Sequence, residues 1–160
     1  MFDIKQPDKP LFHDELYSGH GVVWDSKRER LWALGYEELR SYRLKDWDTP
    51  APKLERTATF KLPTTGGHDL SPIPGSAGLV VTTSKHVFIF DRDRGTFSQH
   101  AALGNEPGVK CVSVHPETGR IAWVQGEDGE WWSPRIRFLE PNGEVRLEGE
   151  RLYKVRWLVD

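Results

Sequence analysis

The stretch Gly66-Gly67-His68-Asp69-Leu70 has an echo one repeat earlier, at Gly19-His20-Gly21-Val22-Val23-Trp24. Two fainter echoes follow, Val109-Lys110-Cys111-Val112-Ser113-Val114 and Tyr153-Lys154-Val155-Arg156-Trp157-Leu158. Each sets a polar or basic residue ahead of an apolar run, at His20, His68, Lys110 and Lys154. A spacing of about 40–50 residues is the period of four-stranded β-propeller blades. Residues at one equivalent position in such repeats converge on a common axis. The rim of a central channel is therefore where function is expected.

Outward from these motifs the chain divides into repeating units. In the first, Ser26-Lys27-Arg28-Glu29-Arg30 is a polar turn between two apolar runs. Glu38 to Leu44 alternates polar and apolar residues at period two, as a half-buried strand does. Thr57 to Pro63 supplies a fourth strand. The second unit has β-rich runs at Leu79-Val80-Val81-Thr82-Thr83 and Val87-Phe88-Ile89-Phe90-Asp91, with Asp93-Arg94-Gly95 as a hairpin signal. In the third, His115-Pro116-Glu117-Thr118-Gly119 and Pro141-Asn142-Gly143 are the turns. Helical periodicity is absent beyond about two turns. The expectation is one all-β domain over 1–160, propeller-like, with blades at 19–63, 66–103 and 108–149. A spare terminal strand is expected at 152–160, and another strand at Leu11–Tyr17 after a loose lead-in. Propellers typically close with about four to eight blades. Three blades thus imply a homodimer that completes the ring between copies.

Composition narrows the function classes. The 160 residues are 37% hydrophobic and 29% charged, with a net charge of −2, as in a folded soluble domain. Lys and Arg are interspersed with Asp and Glu, so the clustered positive charge that nucleic acid requires is missing. No apolar run reaches membrane-spanning length, and no secretory leader is visible at Met1 to Pro10. The sequence as written reads as cytoplasmic; a longer secreted parent is compatible with it. Cys111, the single cysteine, allows no intrachain disulfide and reads as a buried strand residue. The seven tryptophans suit large buried anchors and stacking platforms. Trp24, Trp32, Trp123 and Trp157 fall within strands and are expected in the core. His13, His86, His100 and His115 fall at turns or strand ends and are expected at the surface.

The residues also resemble a family: six-bladed propeller-like proteins of bacteria and fungi, classed as a domain of unknown function. The resemblance runs from Gly19 to Trp157. It is carried by His20-Gly21-Val22-Val23-Trp24-Asp25, Arg30-Leu31-Trp32-Ala33-Leu34-Gly35-Tyr36, Gly66 to Leu70, Val87 to Asp91, Trp131-Trp132 and Tyr153 to Trp157. It matches the C-terminal half of such proteins. It implies the architecture and a shared set of channel residues, and brings no established activity.

Three chemistries suit the marked residues. As metal ligands, His20 and His68 would supply four imidazoles per dimer for a divalent ion, the one cofactor considered. As hydrogen-bonding groups they would bind a polar or anionic small molecule, or act as general base or acid. As structural groups they would pin loops between blades. Lys110 and Lys154 repel a cation and suit an anion, and Arg156 adds a planar fork for a carboxylate. Asp69 is expected to orient His68 or a neighbouring loop; as sequence neighbours on a strand the two point to opposite faces. Trp131-Trp132 follows the acidic loop Glu127-Asp128-Gly129-Glu130, where one indole packs and the other is open to a sugar or flat ligand. The leading reading is recognition of a saccharide-like or carboxylated metabolite. Metal-assisted or cofactor-free lyase, isomerase or cyclase chemistry at His20 and His68 is the alternative, and a protein-interaction scaffold the third. No phosphate-binding loop, dinucleotide fingerprint, HExxH or GxSxG occurs.

Overall fold

The computed structural model describes residues 1–158. Fourteen strands form in chain order: β1 (Phe2–Asp3), β2 (Gln6–Pro10), β3 (Gly21–Asp25), β4 (Arg30–Leu34), β5 (Glu38–Lys45), β6 (Lys53–Lys61), β7 (Asp69–Pro72), β8 (Gly78–Thr82), β9 (Val87–Asp91), β10 (Thr96–Gln99), β11 (Val109–Val114), β12 (Ile121–Gln125), β13 (Arg135–Leu139) and β14 (Gly143–Arg146). Twelve of them make three four-stranded antiparallel sheets, β3 to β6, β7 to β10 and β11 to β14, each strand pairing with its sequence neighbour. Among the described residues there is no helix. The chain is an all-β, propeller-like array of blades.

The blades stack face to face, and apolar period explains how. In β8 every residue is buried, because Leu79 and Val81 face the first blade while Val80 faces the third. A strand covered on both faces shows a continuous apolar run in place of alternation. The first interface collects Trp32, Leu34, Leu39, Leu70, Phe88 and Phe90. The second gathers Val80, Val87, Leu103, Val109 and Val112, with Trp123 packed against them. Solvent-facing outer strands keep the polar alternation, as in β6. The Gly66-Gly67 pair sets the entry to the second blade. Gly66 takes a φ of +80°, and a Cβ on Gly67 would lie 2.3 Å from the Gly35 carbonyl oxygen, so a side chain at either position would strain the approach.

Four expectations need correction. Leu11–Tyr17 forms no strand. It is an irregular strap, held because Arg40 donates to the Glu15 carbonyl (2.6 Å) and both Arg56 and the Tyr42 hydroxyl donate to Asp14 (2.8 Å each). The lead-in before it is a small hairpin of β1 and β2. The expected terminal strand is a single bridge, Leu152 to Ser133. Beyond it the tail lies along β11, where the Cys111 sulfur and the Ser113 hydroxyl accept the backbone N–H groups of Val155 and Trp157; side chains intervene where a ladder would form. Residues 159 and 160 of that expected strand lie outside the described residues. Finally, Trp24 is 47% exposed, because it sits on the face of the first blade that has no neighbour.

Candidate functional site

The inner strands β3, β7 and β11 begin side by side, and the marked residues stand at those beginnings. His20 N–H donates to Leu34 O and His68 N–H to Thr82 O, both at 2.9 Å. These bonds extend the ladders by one residue and fix where each imidazole leaves the sheet. The two rings meet edge to face, centroids 5.9 Å apart. Lys110, one residue into β11, brings its ammonium to 3.2 Å from His68 Nε2.

The partners determine the protonation pattern. An ammonium has only hydrogens to give, so His68 Nε2 accepts and the neutral ring carries its proton on Nδ1. That Nδ1 is buried and has no partner among the described residues. Burial, then the Lys110 charge, hold the His68 pKa down at about 4, and burial lowers that of Lys110 as well. On His20, Nδ1 lies 2.8 Å from the Ser18 carbonyl oxygen, which can only accept. The His20 proton therefore sits on Nδ1, and Nε2 is left as an acceptor, without a partner among the described residues and not enclosed.

Asp69 faces away from His68 and is 1% exposed. It accepts the Val112 N–H of the next blade at 3.4 Å, Lys154 Nζ at 2.9 Å and Arg156 Nη2 at 2.6 Å. Lys154 also donates to His20 O at 2.9 Å. The tail thus reaches back across the inner strands, and Lys154 and Arg156 join the residues from all three blades. Among the described residues this rim holds three cations, Lys110, Lys154 and Arg156, against one carboxylate, and Lys110 makes no ion pair. Beside it Cys111 is fully buried, its thiol pushed up to about 11 chiefly by burial, so it is inert as a nucleophile.

The two neighbouring tryptophans part. Trp131 is 58% exposed and packs edge-on against Tyr153 at 5.5 Å. Trp132 donates to Glu130 at 3.1 Å and lines a separate cleft with Glu127 and Arg135. The turn histidines are half-buried rather than free at the surface, apart from the exposed His13: His86 bonds Gly104 O, and His100 and His115 accept backbone N–H groups of their own turns. Sequence reasoning passed over Ser18, which sets the His20 tautomer, and Tyr153, which joins Trp131 to the rim. Their signal was proximity alone, two residues before His20 and one before Lys154.

A metal fits this donor set poorly. Among the described residues no three His, Cys, Asp or Glu side chains are grouped to hold one. The Nε2 that His68 would offer is engaged by the Lys110 ammonium, whose charge an ion there would meet.

With the geometry in place, comparison with known proteins adds the lineage. The model of a family of unknown function, DUF6528, matches residues 13–160. The chain belongs to this family. Among solved structures it is similar to regucalcin, a calcium-binding protein of Agrobacterium tumefaciens, at 18% identity and a TM-score of 0.57, over 85% of this chain and 44% of that one. It is also similar to Hsv2 of Kluyveromyces lactis at 13% identity and a TM-score of 0.49, over 82% of this chain and 37% of that one. The chain thus spans less than half the length of either of these chains, and the likeness to regucalcin establishes the fold. No curated protein matches. Among the described residues, no helix is long and apolar enough to cross a membrane.

Proposed function

We propose that the rim binds a small anionic molecule, a carboxylated or saccharide-like metabolite, between Lys110, Lys154, Arg156 and the two histidines. The observation that carries this is the surplus of positive charge. Two cations, Lys154 and Arg156, share the single buried carboxylate of Asp69, and a third, the Lys110 ammonium, spends its contact on a neutral imidazole. Holding like charges together costs free energy unless an anion offsets them. A charge-assisted hydrogen bond contributes about 1.5–3 kcal/mol. Titrating the protein calorimetrically with carboxylates and phosphate checks the reading. Lys110→Met should weaken binding by about 10- to 100-fold while leaving the folded state intact. Affinity that does not respond to this change removes the rim as the site.

We also propose that a second copy covers the open face of the first blade. Val22, Leu70 and Val112 stand two residues after His20, His68 and Lys110. Leu70 and Val112 pack against the preceding blade at 3% and 0% exposure, whereas Val22 is 66% exposed beside Trp24. Such paired apolar positions suit an interface. Sedimentation of wild type and Trp24→Glu should show a dimer lost on substitution; a wild-type monomer at high concentration rules it out.

A further inference from the structure

The aromatic pair next to the rim narrows the chemistry of its ligand. Trp131 leaves more than half of its surface open, and its ring is braced edge-on by Tyr153 (centroids 5.5 Å, planes at 73°). The Tyr153 ring in turn lies 5.7 Å from Lys154 Nζ, the same ammonium that holds Asp69 and the His20 carbonyl. An open indole face is thereby linked through two short steps to the cationic cluster. The electron-rich face of an indole attracts the weakly positive C–H face of a pyranose ring, and its rigidity lowers the cost of ordering. At the rim His20 Nε2 waits as an acceptor, while every nitrogen of Lys110, Lys154 and Arg156 only donates. A ligand that satisfies all of these carries a carboxylate, at least one hydroxyl donor, and a flat aliphatic ring.

Resting on the anion-binding reading above, we infer that the ligand is an acidic saccharide of the uronic-acid type. Its carboxylate lies against Lys110 and Arg156, a hydroxyl donates to His20 Nε2, and a sugar ring stacks on Trp131. A simple carboxylate uses the first of these contacts only, and a neutral sugar only the others.

The test is calorimetric titration of the full chain with galacturonate and digalacturonate, with acetate and galactose as the two partial probes. The uronates are expected to bind at least about tenfold more tightly than either, the margin of one aromatic stacking contact. Trp131→Ala should cut uronate affinity about tenfold and leave acetate unchanged, and Trp131→Phe should restore part of the loss. Near-ultraviolet circular dichroism verifies that each variant is folded. Uronates binding no better than acetate overturn the saccharide inference and leave the anion site standing. If Lys110→Met leaves uronate affinity untouched, or if neither acetate, phosphate nor the uronates bind, the anion-binding reading fails and takes this inference with it.

Discussion

The strand β3 has an ionic cluster near each end, built from the same kinds of residue and balanced differently. At its far end the buried Asp25 accepts from Arg28 at 3.0 Å and from Arg92 of the second blade at 2.7 Å, while Asp93 takes the other side of Arg28 at 2.6 Å. Two guanidinium groups meet two carboxylates, and the Asp25 and Arg92 side chains are only 4% and 7% exposed. Every charge in that cluster is matched within the protein. At the near end Lys154 and Arg156 share Asp69, and Lys110 has no carboxylate partner among the described residues. A closed set of charges ties blades together; an unclosed set at an accessible rim is available to a ligand. The difference separates a structural staple from a site.

The largest effect should come from breaking the staple. Asp25→Asn leaves Arg92 buried without its counter-charge, and a loss of about 3 kcal/mol is expected, read from the urea midpoint, with anion binding unchanged. Lys110→Met is the mirror image: affinity falls and stability moves by less than about 1 kcal/mol. A large stability loss there would make the rim a second staple. Asp69→Asn lies between the two. It releases the half-exposed Lys154 and Arg156, so about 1–2 kcal/mol of stability is lost after allowing for solvent screening, while anion affinity rises several-fold. Unchanged or weaker anion binding in this variant would show that Asp69 organises the cations more than it neutralises them.

The last effect is in pH. Folding holds His68 at about 4 against its ordinary 6.5, so the unfolded chain binds the proton more readily. Its contribution to stability is complete above pH 6.5 and is lost progressively as pH falls toward 4. Half-buried His100 is lowered by burial in the same direction, so the comparison must be made by variant. Melting temperatures of wild type and His68→Gln, measured from pH 7 to 4.5, should converge as pH falls. Parallel curves would assign the acid sensitivity elsewhere.

Much of the blade pattern was legible because it depends on local chemistry. The Leu79 to Thr82 run, the hairpin at Asp93-Arg94-Gly95 and the glycine pair before His68 each report their own backbone or burial. Trp24 shows the limit. Alternation in Gly21 to Asp25 says that Val23 and Trp24 face opposite sides, and nothing in it says that only one side is covered. The strap at residues 11–17 has the composition of a strand, yet its direction is set by Arg40, Arg56 and Tyr42, more than twenty residues away.

By itself, then, the sequence determined the all-β character, the period of the repeat and the residues that begin the inner strands, since period and turn chemistry act over a few neighbouring residues. Only the tertiary structure decided that the tail turns back to place Lys154 and Arg156 on Asp69. It alone decided which nitrogens of His20 and His68 remain free, and that the charges at one end of β3 close while those at the other do not. Those outcomes depend on which partners lie within about 3 Å in space, and sequence separation does not carry that distance.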